Sequence, residues 1–251
     1  MFHDFRSRLR RRELLLGTMV TLPTAATAEV LAGAGFDWLF LDAEHGALEN
    51  ADILDILRAV DRDVPCVVRV AAADEVSIKK VLDVGAAGVI VPQVNTPEQA
   101  AAVVHYARYA PEGGRGVGLA RAHGYGTRFK EYVTAANAEV AVVVQAEHAL
   151  AVEHIESIVA VPGVDAVLLG PYDLAASLGK MGQVDDSVVT TAIERVTRAC
   201  LDAGVPLGFF GVSAAAVQPY VERGYTLIVA GVDTLFVASA ARELLAGLRR
   251  R

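Results

Sequence analysis

Ionisable and polar side chains stand at or near the ends of four apolar, strand-like segments of this 251-residue sequence. The carboxyl ends of parallel barrel strands meet at one face, and that face is where barrel active sites lie. We therefore expect these groups to converge on one pocket. They are Asp42 with Glu44 and His45, Arg69, Gln145 with Glu147, and the run Gly170-Pro171-Tyr172-Asp173.

Glu147 and Asp173 are the candidate metal ligands. Side chains alternate along a strand, so Val143, Gln145 and Glu147 share one face, which we expect to point into the barrel. An unpaired carboxylate is costly there, and a hard divalent cation removes that cost. Two carboxylates with water and substrate oxygens suit octahedral Mg²⁺ or Mn²⁺. The alternatives are a salt bridge or, at Asp173, a helix cap.

His45 is the candidate general base, since Asp42 stands three residues before it and such a carboxylate orients an imidazole and raises its basicity. A loop histidine with a structural hydrogen bond is the alternative. Arg69 lies within an apolar strand, where an arginine needs a partner. Pairing with Asp42 or another acid is one role, and stabilising an enolate oxygen is the role that we favour.

Two further features bear on the chemistry. The backbone N–H groups of the run from Gly170 to Asp173 open a short helix and suit a substrate carboxylate, although ordinary turn chemistry also explains the glycine and proline. None of the lysines lies within a predicted strand, where a Schiff-base lysine is expected, so a metal acting as Lewis acid is favoured over imine chemistry. The lysines are Lys79, Lys80, Lys130 and Lys180.

Strand-like and helix-like segments alternate along the whole chain and must position these groups. The predicted strands are Leu16–Leu22, Trp38–Asp42, Cys66–Val70, Gly88–Pro92, Ala141–Glu147, Ala166–Gly170, Pro206–Phe210 and Thr226–Val229. The predicted helices are Ala25–Ala34, Asn50–Val60, Glu75–Val84, Pro97–Ala107, Leu150–Val159, Val188–Ala203, Ala214–Arg223 and Leu235–Leu248. Eight such units predict an α/β fold, a (β/α)8 TIM barrel forming a single domain over residues 1–251, with an open doubly wound sheet as runner-up. The glycine-rich stretch from Pro111 to Arg128 is predicted to be a long functional loop.

Composition narrows the function classes. A net charge of −7 argues against nucleic acid and anionic membranes as partners. We interpret the arginine clusters at the two ends, Arg6 to Arg12 and Arg249 to Arg251, as solvated. Cys66 and Cys200 are predicted to be small buried residues, which favours a reducing compartment.

The amino-terminal segment has some features of an export signal, because Arg10-Arg11-Arg12 precedes Leu14-Leu15-Leu16. Gly17, Thr18, Thr21 and Pro23 interrupt its apolar run, however, and the barrel needs Leu16–Leu22 as its first strand. We therefore expect a cytoplasmic protein. No apolar run approaches the roughly 20 residues that span a bilayer.

The chain resembles the HpcH/HpaI aldolase family of metal-dependent pyruvate aldolases. The resemblance covers nearly the whole chain in family order. It rests on Gly35-Phe-Asp-Trp-Leu-Phe-Leu-Asp-Ala-Glu-His-Gly46, Val68-Arg69-Val70, Gly85-Ala-Ala-Gly-Val-Ile-Val-Pro-Gln-Val-Asn-Thr96, Arg115-Gly-Val-Gly118, Arg121-Ala122, Tyr125-Gly126, Gln145-Ala-Glu147 and Gly170-Pro-Tyr-Asp-Leu174.

The resemblance implies a role for each candidate. Glu147 and Asp173 would hold Mg²⁺, Mn²⁺ or Co²⁺, and Gln145 would support the substrate. His45 paired with Asp42 would transfer a proton through water, Arg69 would steady the enolate, and Gly170, Pro171 and Tyr172 would receive the donor's carboxylate. The family forms hexamers with pockets near subunit boundaries, which implies a homo-oligomer in which Asp83 and Arg121 serve a neighbouring site.

The chain departs from the family at several positions, which are Met19, Val70 or Ala71, His154 and Ala175. Phe209-Phe210, at the end of the seventh predicted strand, would crowd the acceptor side, so Phe210 joins the substrate-binding candidates. These differences keep the metal and enolate residues and leave the acceptor open.

The predicted activity is reversible aldol cleavage or addition between the enolate of a 2-oxo acid, pyruvate or hydroxypyruvate, and an aldehyde. A lyase of the citryl-CoA or malyl-CoA type is one alternative, which should need a basic patch for nucleotide phosphates. A sugar-phosphate isomerase or aldolase is another, with phosphate at Gly208–Gly211 and Ala230–Asp233. An exported sugar-acid-binding protein is the third.

Overall fold

Eight parallel strands close into a barrel, and each strand pairs with its neighbours in chain order, β8 with β1 included. The computed structural model describes residues 4–249, so Arg250 and Arg251 of the carboxyl-terminal arginine cluster lie outside the described residues. The strands are β1 (Leu15–Val20), β2 (Trp38–Asp42), β3 (Cys66–Arg69), β4 (Gly88–Val91), β5 (Ala141–Ala146), β6 (Ala166–Leu169), β7 (Leu207–Gly211) and β8 (Leu227–Val232). Closure confirms the (β/α)8 barrel and excludes the open doubly wound sheet.

Helices follow the strands around the outside. They are α1 (Phe5–Arg10), α2 (Ala25–Gly33), α3 (Asn50–Val60), α4 (Glu75–Val84), α5 (Pro97–Ala107), α6 (Phe129–Glu139), α7 (Ala149–Glu153), α8 (Ile155–Val159), α9 (Pro171–Ser177), α10 (Ser187–Ala203), α11 (Ala214–Glu222) and α12 (Asp233–Arg249). The helix predicted at Leu150–Val159 is two short helices, because the backbone at His154 leaves the helical region. The sequence pattern missed α1 and α6, whereas α9 is the short helix expected to open at Gly170–Asp173.

The inward faces of the strands form a core inside the barrel that is separate from the layer under the helices. Trp38 and Phe40 fill this interior, and Gly17 makes room for the indole, since a Cβ at Gly17 would come within 2.5 Å of it. Helix α1 closes the amino-terminal end of the barrel. Its Phe5 and Leu9 are buried, and the rings of Phe5 and Trp38 lie 5.7 Å apart.

The arginines of α1 are not all solvated, which corrects the interpretation of the amino-terminal cluster. Arg6 is buried, and its Nε lies 2.8 Å from both carboxylate oxygens of Asp165. Its Nη1 donates to the carbonyl of Asn137 at 2.7 Å, and Arg108 pairs with the same Asp165 at 3.3 Å. A buried carboxylate between two guanidiniums thus fastens α1 to the bottom of the barrel.

The glycine-rich stretch is a long connection, as predicted, with a 3-10 turn at Arg121–His123. Arg115 is buried in it. Its guanidinium stacks over the ring of Tyr109 at 4.6 Å and pairs with Asp83 at 2.7 Å. The loop is therefore anchored to the barrel by its first arginine.

Two predictions about the remaining segments hold. The stretch with some features of an export signal supplies β1, and Cys66 and Cys200 are buried free thiols whose pKa values burial raises. Among residues 4–249, no helix has the length and apolar character needed to cross a membrane.

Candidate active site

The predicted groups do come together at the carboxyl ends of β2, β3, β5 and β6. Arg69 bonds Asp42 and pairs with Glu44, and the charge of Glu44 acts on Glu147. The charge of Asp173, which follows the neighbouring strand β6, also acts on Glu147. These groups therefore form one acidic recess that contains the guanidinium of Arg69.

Asp42 and Arg69 form the most rigid part of the site. The two residues are paired in register on β2 and β3, so their side chains leave neighbouring strands on the same inward face. Nε and Nη2 of Arg69 donate to the two oxygens of Asp42 at 2.9 and 2.7 Å, a bidentate pair. The guanidinium also lies 5.2 Å above the ring of Phe40. Its position is therefore fixed from two sides.

His45 is not oriented by Asp42, which corrects the predicted pairing. Asp42 Oδ1 accepts from the backbone N–H groups of Glu44 and His45 at 3.1 and 3.2 Å, and both its oxygens bond Arg69. The carboxylate beside the imidazole is that of Glu44, 3.6 Å from Nε2. The His45 side chain is 65% exposed. Asp42 thus shapes the turn that carries His45, and Glu44 faces its ring.

Glu44 had no assigned role in the sequence, yet it bridges two parts of the site. Its Oε2 lies 3.2 Å from Nη1 of Arg69 and also faces the imidazole of His45. Burial raises the pKa of Glu44, and the Arg69 charge opposes that rise. The run Asp-Ala-Glu-His contained it, but spacing alone could not tell which of two acids meets the ring.

Glu147 follows β5 and points into the barrel, as its alternation with Val143 and Gln145 predicted. The side chain is buried, and burial raises its pKa, an effect to which the nearby Asp173 carboxylate adds. Its oxygens nevertheless have donors. Gln93 donates to Oε1 from its backbone N–H at 2.8 Å and from Nε2 at 3.1 Å, and Nε2 of Gln145 donates to Oε2.

The run that ends β6 begins α9 at Gly170, with Pro171 as the first helical residue. A Cβ at Gly170 would lie 2.8 Å from Cβ and 2.9 Å from Oε2 of Glu147. Any larger residue at position 170 would therefore clash with the Glu147 side chain in its present position. The N–H groups of the first helical turn have no partner within the helix. Tyr172 and Asp173 are exposed, so a solute reaches both from the solvent.

These features allow a test of whether a divalent cation fits. Within residues 4–249, Oε1 of Gln145 is buried without a hydrogen-bond partner, which leaves one acceptor unused beside the Glu147 carboxylate. The same part of the chain holds no cluster of three or more His, Cys, Asp or Glu side chains suited to a metal. Two carboxylates with the remaining positions open to water and substrate oxygens are the donor set of Mg²⁺ or Mn²⁺. Glu147 and Asp173 fit such a cation.

Of the two phenylalanines at the end of β7, only Phe210 faces the interior. Phe210 packs against the inner core, whereas Phe209 points outward and stacks on Tyr220 with ring centroids 3.5 Å apart. Phe209 therefore does not crowd the site, because consecutive strand residues face opposite sides.

Asp83 and Arg121 lie away from this recess, at the end of α4 that leads into the bottom of the barrel. Asp83 pairs with Arg115 at 2.7 Å, and Arg121 pairs with Asp61 at 2.6 Å and donates to the Val84 carbonyl at 2.9 Å. Their service to a neighbouring subunit stays a prediction.

Asp233 occupies the place where the sugar-phosphate alternative expected a phosphate. It is buried at the end of β8, and its carboxylate accepts from the backbone N–H groups of Thr21 and Leu22 at 2.9 and 2.8 Å. The hydroxyl of Thr21 donates to it at 2.7 Å. These donors are therefore already engaged by an anion of the protein itself.

Comparison with known proteins agrees with the geometry. The family model described as HpcH/HpaI aldolase/citrate lyase matches residues 16–240. The chain is 41% identical to the 4-hydroxy-2-oxovalerate aldolase of Novosphingobium aromaticivorans, over 99% of this chain and 94% of that one. It is 40% identical to the hydroxypyruvate/pyruvate aldolase of Cupriavidus necator, over 99% and 93%. A solved HpcH/HpaI aldolase/citrate lyase family protein from Burkholderia cenocepacia J2315 superposes with a TM-score of 0.94 at 40% identity, over 98% of this chain and 99% of that one. The chain therefore belongs to the HpcH/HpaI aldolase/citrate lyase family, and it is an aldolase, a carbon–carbon lyase acting on small molecules.

Proposed function

We propose that the protein is a metal-dependent aldolase that joins or cleaves the bond between the enolate of a 2-oxo acid, pyruvate or hydroxypyruvate, and an aldehyde. The observation that carries this proposal is the buried carboxylate of Glu147 beside Asp173, across the recess from the fixed guanidinium of Arg69. The names of two relatives, 4-hydroxy-2-oxovalerate aldolase and hydroxypyruvate/pyruvate aldolase, support a 2-oxo acid as the donor.

Glu147 and Asp173 would hold the cation, with Mg²⁺, Mn²⁺ or Co²⁺ as the candidates. When bound, it supplies Lewis acidity that makes the carbon next to the keto group of the substrate acidic. The combined negative charge of Glu147 and Asp173, and the burial of Glu147, are the physical reason to expect a cation between these carboxylates.

Arg69 stabilises the negative charge that develops on the keto oxygen. A guanidinium has five N–H groups. Asp42 takes one from Nε and one from Nη2, and Glu44 lies 3.2 Å from Nη1, so the remaining N–H groups of Nη1 and Nη2 serve the substrate. Because Asp42 and Phe40 hold the guanidinium in place, it need not reorganise as charge builds up.

The donor's carboxylate binds at the start of α9. The first-turn N–H groups of Tyr172 and Asp173 have no partner in the helix, and Pro171 fixes the backbone that presents them. The unused Oε1 of Gln145 accepts a hydrogen from a hydroxyl group or a water. Phe210 forms the apolar wall on the β7 side.

His45 moves the proton. In cleavage, the imidazole takes the proton of the C4 hydroxyl through a water molecule, the C3–C4 bond breaks, and its electron pair passes into the enolate as the aldehyde leaves. Protonation of the enolate at C3 then yields the 2-oxo acid. The His45 side chain is 65% exposed, so the ring exchanges its proton with solvent, and the Glu44 carboxylate lies 3.6 Å from its Nε2.

Removal of divalent metal tests the proposal. EDTA treatment should abolish aldol cleavage, and Mg²⁺, Mn²⁺ or Co²⁺ should restore it. Glu147→Gln should lower the metal affinity by at least about tenfold, since even mutations of residues that only support a metal ligand cost about that much. Glu243→Gln on exposed α12 should have the affinity of the wild type. Full activity in a rigorously metal-free preparation would contradict the proposal. A panel of aldehydes with pyruvate and hydroxypyruvate, and a CoA thioester for comparison, identifies the substrates.

The assembly and location of the protein are part of the same proposal. A homo-oligomer, a hexamer as in the family resemblance, would bring Asp83 and Arg121 of one subunit to the site of the next, and light scattering measures its mass. Two buried free thiols suit the reducing cytoplasm.

A further inference from the structure

Gln93 is the one long side chain near the site with a left-handed backbone. It follows β4 after Pro92, and its φ is +54°, a region that non-glycine residues rarely adopt. This conformation directs both its backbone N–H and its side-chain amide at a single atom, Oε1 of Glu147, at 2.8 and 3.1 Å. Strained backbone of this kind persists where the surrounding structure holds it for a purpose.

The donors around Glu147 leave few acceptor positions free. A carboxylate has about four lone-pair sites, two on each oxygen. Gln93 takes both sites of Oε1, and Nε2 of Gln145 takes one of Oε2. The site that remains is on Oε2, the oxygen beside Gly170, where the missing Cβ would have come within 2.9 Å. Glu147 is thus left with one atom for a cation.

We propose that Gln93 is a positioning residue that makes Glu147 a monodentate ligand through Oε2 and so selects a small octahedral cation over Ca²⁺. The inference rests on the proposed function in one respect, that Glu147 holds a cation. Mg²⁺ binds at about 2.0–2.1 Å and takes one oxygen of each carboxylate, whereas Ca²⁺ binds at about 2.3–2.6 Å and accepts both oxygens. A carboxylate whose Oε1 is saturated by Gln93 cannot offer the second.

The test is a titration of the metal-stripped full chain with Mn²⁺ and with Ca²⁺ by calorimetry. Gln93→Met removes the side-chain donor and keeps the backbone N–H, which frees one lone pair of Oε1. The ratio of the Ca²⁺ Kd to the Mn²⁺ Kd should fall by about tenfold, the lower end of the usual effect of residues that support ligands. Gln218→Met is the matched control, because Gln218 also donates from Nε2 to a carboxylate, that of Glu222, at 3.3 Å on exposed α11. Its ratio should equal that of the wild type.

Gln93→Gly keeps the test decisive if the methionine variant folds poorly. Glycine adopts the left-handed backbone without strain, so this variant keeps the N–H donor and should melt at a higher temperature than Gln93→Met. It should show the same tenfold change in the ratio. If the wild type binds Mn²⁺ and neither Gln93 variant changes the ratio, the role of Gln93 is wrong and the metal site stands. If the wild type binds neither cation, the proposed metal dependence itself fails.

Discussion

Gly170→Ala adds one methyl group between the two elements that carry the proposed cation ligands. The new Cβ would lie 2.8 Å from Cβ of Glu147, 2.9 Å from its Oε2 and 3.8 Å from Nε2 of Gln145. The φ of Gly170 is −104°, on the side that alanine also adopts, so the effect is steric rather than conformational. Favourable contacts between carbon atoms are about 3.5–4.0 Å, so the glutamate must retreat by roughly an ångström.

The structure sets the size of this effect. Cβ of Glu147 is fixed by the end of β5, and its carboxylate is held by Gln93 and Gln145, so the clash cannot be relieved by rotating a free chain end. Overpacking of this kind costs about 1–3 kcal/mol. For a chain of about 250 residues that lowers Tm by roughly 2–12 °C. Displacement of Oε2 should weaken Mn²⁺ binding by about 10- to 100-fold.

Calorimetry gives both numbers, from thermal unfolding and from Mn²⁺ titration of the same preparation. Gly33→Ala in α2 is the control, since a Cβ there meets no atom within 4 Å. It should gain up to about 1 kcal/mol, because alanine loses less backbone freedom on folding. If Gly170→Ala keeps the wild-type Tm and the wild-type Mn²⁺ affinity, the recess beside Glu147 is not where the cation binds.

Three other substitutions test separate parts of the molecule. Arg69→Lys keeps the charge but loses the fork that fits Asp42, and kcat/KM should fall about 100-fold or more in aldol cleavage assays, whereas wild-type rates would contradict its role. Burial raises the pKa of Glu147 above the ordinary 4.5, so its stabilising contribution is full below that pH and is lost as pH rises through the folded value. In metal-free protein, the Tm of Glu147→Gln relative to that of the wild type should therefore rise as the pH increases above about 4.5, and a constant difference would contradict this. Phe5→Ala should cost about 3–5 kcal/mol in denaturant unfolding, while leaving kcat unchanged well below Tm, because Phe5 packs at the opposite end of the barrel.

The sequence predicted the barrel and the convergence of the site because both depend on periodic features. Alternating side chains put Gln145 and Glu147 on the inner face, and strand order alone brings the ends of β5 and β6 together. An arginine within an apolar strand needs an acidic partner, and the register of β2 on β3 places Asp42 opposite Arg69. The alternation of side chains along a strand and the order of the strands along the chain can both be read directly from the sequence.

The missed features depend on contacts that no local pattern encodes. Helix α1 has only six residues, too few for a clear periodic pattern. Its Arg6 is buried against Asp165, which lies 159 positions later in the chain, so no local pattern reveals the pair. The partner of the His45 ring depends on how the turn after β2 folds. The carboxylate of Asp42 is bonded to Arg69 and to the backbone N–H of His45. The positive φ of Gln93 accompanies its hydrogen bonds to the carboxylate of Glu147, which follows β5, 54 positions along the chain.

The distribution of free and engaged donors also bears on the kind of anion that the barrel accepts. At the ends of β1 and β8, the N–H groups of Thr21 and Leu22 already bond the carboxylate of Asp233, and a phosphate there would meet a buried like charge instead of donors. At the start of α9, by contrast, the first-turn N–H groups lack helical partners, and the guanidinium of Arg69 stands at the same end of the barrel. Since recognition of an anion requires unpaired donors, the start of α9 suits an anion better than the ends of β1 and β8 do, which favours the proposed 2-oxo acid over a sugar phosphate.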